Sequence, residues 1–385
     1  MSLIELEFVL REDPWGMPAS DSIIGELLLS SEHPMWSKKV GEAWCGTHIQ
    51  RPALVKGSSK NLLELIQEDP DSILGPENSE NWGPELPFLF KILTISSPLS
   101  LQVHPNLNKA LELSDRYPTT YRDRSEKPEI GVAIFETKLL LGFRPLEEII
   151  SILSHIPSAK LFFGETLNNP SLRLLYNQLL NANQSELFEL NADTAKFFRE
   201  KNILVEEEEQ FLNLYSMYPS DSGVYQVFLL NFVTLNPGEG VFIPPDTIHA
   251  YLSGQLVECM AISDFVIRAG LTNKEKDIPS LLEVIDYNTF TVNKLLPKRS
   301  LFEFSSYLAP TDKFQLERFT GKCACEVVCP NSPALYFCLR GSGQINASNS
   351  TSSSSVSFSP GSLCLVTSGA KHLIALDGEF YRILV

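Results

Sequence analysis

The sequence predicts a mainly β protein: jelly-roll or similar double-sheet β domains, with an α-helical segment inserted between strand-rich parts. Three observations predict it. Short apolar runs rich in β-formers, punctuated by Gly and Pro, fill the chain up to residue 143 and resume at Gly223. Between them the period changes. PLEEIISILSHI, SLRLLYNQLL and TAKFFREKNILVEEEEQFLNL repeat apolar residues every three or four positions. Beyond residue 300 the pattern is again all strand and turn.

Taken in order, residues 1–40 are mixed, with Pro14, Pro18 and Pro34 breaking any long helix. Glu42 to His48 reads as a short strand entering a turn. Ser59 to Glu68 reads as a helix with Ser59 as cap. Leu86 to Ile95 is a near-continuous apolar run, the mark of a strand buried on both faces. Leu99 to Val103 follows as a second strand, and Asn108 caps a short helix through Asp115. Glu129–Phe135 and Lys138–Phe143 are two more strands. Pro145 suits a first helical position, with Glu147 and Glu148 in the first turn. The acidic run Glu206 to Glu209 reads as a solvated helix face. Asn236-Pro237-Gly238 marks a turn, and Leu281 to Tyr287 is a short helix. In the C-terminal part, Ser348 to Ser355 reads as a flexible loop.

The expected division is 1–144 with 219–299, a helical insertion at 145–218, and a C-terminal β domain at 300–385. A weak internal repeat joins the two β parts: Asn236-Pro-Gly leading to His249, and Ser359-Pro-Gly leading to His372. His372 has no second His or carboxylate cluster nearby, so it is expected to be structural or on the surface.

The 385 residues are 43% hydrophobic and 20% charged, ordinary for a soluble globular chain. The net charge of −16 argues against nucleic acid as a partner, because that footprint is basic. It also means that an anionic substrate needs local cations. No run of about 18 uncharged apolar residues suggests a membrane span. The start of the chain carries Glu5 and Glu7 and no basic stretch, unlike a secretory signal. Seven cysteines show no paired zinc pattern; the cluster Cys323, Cys325 and Cys329 is expected to be core filler, and the whole reads as reduced and cytoplasmic. A monomer is expected.

The chemistry concentrates in Gln102-Val103-His104-Pro105. Side chains two apart on a strand share a face. Gln102 and His104 therefore project side by side. Glu129, in Lys127-Pro128-Glu129, and His249, in His249-Ala250-Tyr251, add an oxygen and a nitrogen. Two His, one Glu and one amide oxygen suit a borderline divalent metal, zinc first, with room left for water.

The chain resembles the type I mannose-6-phosphate isomerases, zinc enzymes of the cupin superfamily. The resemblance rests on LPFLFKIL from Leu86, LSLQVHP from Leu99, Lys127-Pro-Glu, GFRPLEE from Gly142, EAWCGTH from Glu42, and the run HAYLSGQLVECMAISDFVIRAGLTNK from His249 to Lys274. It spans roughly residues 10–290. It implies two cupin-like domains, one zinc ion per chain held by Gln102, His104, Glu129 and His249, and Arg268 at the catalytic centre. It further implies that Trp15, Ser100, Lys127, Tyr251, Glu258, Asp264 and Lys274 line the pocket. The implied reaction interconverts mannose 6-phosphate and fructose 6-phosphate through an enediol, in carbohydrate metabolism towards GDP-mannose. The general base stays open among Glu258, Asp264 and a bound water. An ion pair between Arg268 and Asp264 is a second role for Arg268, compatible with catalysis. Departures lie at Ser97 and Leu107, where relatives carry lysines, and at Asp13, where an aromatic is usual. Other sugar isomerases, or a sugar-sensing metal binder, remain as alternatives.

Overall fold

A computed structural model describes residues 2–299, 304–328, 331–348 and 353–385. Cys329 and the middle of the Ser-rich segment lie outside the described residues. The rest of that segment is strand: Ala334–Ser348 and Ser353–Phe358 pair antiparallel. The protein is mainly β, with antiparallel sheets, as expected.

Ten strands form the sheet assembly that carries the site. Its spine runs Gly240–Ile243, Glu129–Ala133, His249–Ala261, Phe88–Ile95, Val9–Pro18, Lys39–Gly46. His249–Ala261 is the pivotal strand. Its second half lies between Phe88–Ile95 and Glu129–Ala133. Its first half pairs with Thr137–Phe143 and, at His249, with Leu101–Val103. The partners change across an irregularity at Tyr251–Ser253, followed by Gly254 at φ +121°. A side chain at Gly254 would strike Thr137, so only glycine lets the strand turn from one wall to the other there.

The opposite faces of these strands explain their direction. Leu101 and Val103 are fully buried in one large core. That core includes Ile149 and Leu153 of helix Leu146–His155, Leu175 and Leu179 of Leu172–Asn181, and Phe211 and Leu214 of Glu206–Met217. Burying such side chains stabilises by about 1.5–3 kcal/mol each, so the register is pinned. Gln102 is left facing the other way. Val257 and Cys259 are likewise buried in a second core, which reaches Leu316, Phe337 and Tyr381 of the C-terminal sheet. Glu258, between them, faces the site.

The second sheet has nine strands among the described residues, and its order ends in Leu363–Val366, Leu3–Glu7 and Leu54–Val55. The mixed N-terminal stretch thus contributes two strands, Leu3–Glu7 here and Val9–Pro18 in the other sheet. Three glycines, Gly321, Gly378 and Gly341, sit in register across the three longest strands, all at positive φ. His372 is buried and its Nε2 lies 2.7 Å from the Tyr336 hydroxyl, a structural contact.

Several local expectations shift. Asn61, not Ser59, caps its helix, because Asn61 and Glu64 form a reciprocal capping box. Asn106, not Asn108, caps Leu107–Arg116, accepting from the Lys109 N–H at 3.1 Å. Ser222–Phe228 is a buried 3-10 helix rather than the return of strand, which begins at Leu230. A fully buried apolar run has no face to reveal its period. The last short helix is Ile278–Val284, earlier than expected, because Asp277 caps it through the Ser280 N–H. The Glu206–Glu209 run opens its helix and meets cations: Lys138 at 2.7 Å from Glu206, Arg144 at 3.0 Å from Glu207. No helix among the described residues is long and apolar enough to cross a membrane.

Candidate metal and sugar site

The site is built on a cross-strand row. Gln102 is the register partner of His249 on one side and of Arg268 on the other. Residues directly opposite on antiparallel strands share a face. His104 follows immediately, just past the strand end at Val103. Glu129 begins its own strand, next to Met260 of the central strand.

His104, Glu129 and His249 converge, each fully buried, with ligand atoms all within 4.8 Å of one another. His104 Nε2 lies 3.3 Å from one Glu129 oxygen, and His249 Nε2 lies 3.4 Å from the other. Neither approach is a hydrogen bond. The His104 Nδ1 lies 2.7 Å from the Phe265 carbonyl, and the His249 Nδ1 lies 2.9 Å from the Thr247 carbonyl. A carbonyl only accepts, so both protons are assigned to Nδ1. Both Nε2 atoms are left as lone pairs, buried and without a hydrogen-bond partner. Burial and the nearby Lys127 push the His104 pKa down to about 4, so it stays neutral. Burial alone would raise the Glu129 carboxyl. Lys127, 3.3 Å away, and the imidazoles outweigh it and hold the group well below its ordinary value. Two lone pairs and a carboxylate, aimed together and dry, fit a divalent cation. Gln102, half-buried with an amide that bonds nothing among the described residues, stands beside His249 in the register.

The opposite wall is ionic. Glu258 faces Lys91 in the register, with Nζ 3.1 Å from its carboxylate. Lys91 also lies 3.6 Å from Glu42, which accepts from the Trp44 indole N–H. Arg11 continues the chain, 3.3 Å from Glu42 and 3.0 Å from Asp13. Burial would lower the Lys91 pKa, but Glu42 and Glu258 raise it, so it is a cation. Burial raises the Glu258 carboxyl even so. Tyr251 places its hydroxyl where a side chain on Gly131 would go. That hydroxyl is buried and unpartnered, and burial with Glu258 and Glu129 nearby raises its pKa well above the usual value.

Arg268 is half-buried and makes no ion pair or side-chain hydrogen bond among the described residues. Burial lowers its pKa from the usual guanidinium value. The pair with Asp264 does not form. Asp264 instead meets His48 Nε2 at 3.2 Å, which lowers its pKa. It is exposed, whereas His48 is buried against Trp44. Trp15 packs half-buried with Leu99 against the Tyr251 cluster. Ser100 is half-buried two residues before Gln102, and Lys274 is exposed beyond Arg268.

The structure thus brings Gln102, His104, Glu129, His249, Lys127, Tyr251, Glu258 and Arg268 to one centre. Trp15 adjoins it in the Tyr251 cluster and Ser100 two residues before Gln102, whereas Asp264 pairs with His48 and no contact among the described residues brings Lys274 to it. Lys91 and Glu42 were missed by the sequence reading. Their signal was present: a lysine and a glutamate inside runs that are otherwise apolar, where a charge demands partners.

Comparisons with known proteins point the same way. The model of the phosphomannose isomerase type I catalytic domain matches residues 3–146. A probable mannose-6-phosphate isomerase of Echinococcus multilocularis is 33% identical, covering 82% of this chain and 81% of its own. The mannose-6-phosphate isomerase of Homo sapiens is 34% identical over 77% of this chain and 76% of its own. Mannose-6-phosphate isomerase 1 of Arabidopsis thaliana is 31% identical over 99% and 93%. The crystal structure of the apo mannose 6-phosphate isomerase from Salmonella typhimurium superposes with a TM-score of 0.88 at 26% identity, covering 100% of this chain and 99% of that one. A zinc-bound mannose 6-phosphate isomerase gives the same values.

Proposed function

The chain belongs to the type I phosphomannose isomerase family and is an isomerase of the mannose-6-phosphate class; from that premise we propose that Gln102, His104, Glu129 and His249 hold one zinc ion beside the pocket where the sugar reacts. The observation that carries this is the pair of buried, unpartnered Nε2 atoms on either side of the Glu129 carboxylate.

Bound zinc supplies a Lewis acid that polarises the sugar carbonyl and steadies negative charge on its oxygens. The protein does the rest. A proton moves between C1 and C2 through an enediol. Arg268, charged and free of a counter-ion among the described residues, donates hydrogen bonds to the oxygens that gain charge. Glu258 is the base of choice, because burial raises its pKa towards the range where a carboxylate can both take and return a proton. Asp264, exposed and held ionised by His48, is the weaker base. Lys127 is committed to Glu129 at 3.3 Å. Lys274, exposed and without an ion pair among the described residues, is therefore the cation offered to the phosphate.

The test is metal analysis paired with turnover of mannose 6-phosphate and of free mannose. Zinc near one per chain, with turnover of the phosphosugar far above that of mannose, is expected. Stoichiometric zinc with no turnover of either sugar would overturn the reading.

A further inference from the structure

We propose that Asp246 is the positioning residue that sets the spacing of the two zinc-binding histidines; this rests on the zinc reading above. Asp246 is one of two non-glycine residues described at positive φ, at +66°. Its contacts all run to the segments that bear the histidines or brace them. The Asp246 backbone N–H donates to the His104 carbonyl at 2.7 Å. One carboxylate oxygen accepts from the Asn106 backbone N–H at 2.9 Å. The other accepts from the Asn106 side-chain amide at 2.6 Å and from Lys109 Nζ at 3.1 Å. Lys109 also donates to the Val284 carbonyl at 2.7 Å, and the Asp286 N–H donates to the Asp246 carbonyl at 2.9 Å. The clasp therefore reaches the end of helix Ile278–Val284.

The left-handed turn at Asp246 precedes Thr247, whose carbonyl fixes the His249 ring through Nδ1. One residue thus grips the His104 main chain and launches the segment that orients His249. The carboxylate, with its side chain 15% exposed, accepts three hydrogen bonds and stays within the fold rather than facing the sugar. An outer group of this kind changes metal affinity without touching the metal. The backbone and side-chain roles separate cleanly. Glycine tolerates positive φ but has no acceptor. Asparagine tolerates it and keeps one acceptor oxygen.

The experiment measures zinc dissociation from the full-length protein by competition with a chromophoric chelator, alongside thermal unfolding of the metal-free form. Asp246→Gly is expected to weaken zinc roughly 10–100-fold. Asp246→Asn should lose less, about a few-fold, and Lys109→Met should fall between. Metal-free Asp246→Gly that unfolds normally yet binds zinc poorly marks a positioning role, since a merely structural role would lower the unfolding temperature and leave the affinity of the folded protein alone. Wild-type zinc affinity in Asp246→Gly overturns the proposal. Where that variant fails to fold, wild-type affinity in both Asp246→Asn and Lys109→Met overturns it. A wild-type chain that holds no zinc is a different result: it sinks the metal reading itself.

Discussion

Gln102 and Arg268 are register partners on adjacent antiparallel strands, with His249 on the far side of Gln102. A proposed metal ligand and an unpaired guanidinium therefore share one face a strand apart. The arginine is not needed to neutralise any described carboxylate, since Asp264 is taken by His48.

Arg268→Ala should accordingly keep its zinc and lose about 10²–10³ of kcat, the usual cost of removing one preorganised donor to developing charge. Metal content and steady-state kinetics check this. A rise in KM with kcat unchanged would show that Arg268 only binds.

The ligand set makes an opposite demand. Gln102→Ala and His104→Ala should lose zinc and activity together, while keeping native circular dichroism. A zinc-free His104→Ala protein with full activity would remove His104 from the centre.

Gly131 and Tyr251 form a tight pair, because a methyl group on residue 131 would collide with the Tyr251 hydroxyl. Gly131→Ala should destabilise by about 1–3 kcal/mol, as overpacking does. Adding Tyr251→Phe removes the clashing oxygen and should restore part of that loss. A denaturant series on the four proteins of the double-mutant cycle gives the coupling, and additive losses would contradict the geometry.

Lys91 sits between Glu42 and Glu258 with its side chain 9% exposed. Lys91→Met leaves the buried Glu258 carboxylate without its cation and Glu42 with Arg11 alone, at a cost of about 3–5 kcal/mol. Lys91→Met combined with Glu258→Gln should unfold less readily in urea than Lys91→Met alone. Equal midpoints for the two would mean that Glu258 does not depend on Lys91.

Asp13 gives a pH signature. Burial raises its pKa from 3.8 to about 6, against the pull of Arg11. The folded state therefore keeps a proton that the unfolded chain has already lost between those values. Stability falls as pH rises through that window, and the cost is complete above it. Asp13→Asn should remove about 2 kcal/mol of that cost at pH 8 and almost none at pH 4. Thermal midpoints of the two proteins at both pH values test it; a gain of equal size at both would exclude Asp13 as the titrating group.

Much of this was legible before any coordinates. The two-residue spacing of Gln102 and His104 suggests one shared face, and the strand itself, Leu101–Val103, ends just before His104. The helices between Pro145 and Met217 declared themselves by period, because one stripe faces the core and the other water. What stayed hidden depends on which strands become neighbours. Lys91 and Glu42 are 49 residues apart in the chain, and no local pattern pairs them. Asp246 sits in Pro244-Pro245-Asp246, which announces a turn but not that its carboxylate will grip Asn106 and Lys109. Ser222–Phe228 was misread because burial on all sides erases the difference between strand and helix.

The placement of His249–Ala261 between Phe88–Ile95 and Glu129–Ala133 has a consequence for synthesis. The middle strand leaves the ribosome after both of its neighbours, and His249 comes 120 residues after Glu129. At ribosomal speeds that delay is roughly 6–24 s. For that interval three of the four proposed ligands exist around a vacant slot in the sheet. The sheet must close from its margins inward, a slow and non-local step. Metal capture then waits for the middle strand rather than nucleating the sheet, and a nascent chain stopped before residue 249 should emerge from the ribosome without tightly held zinc.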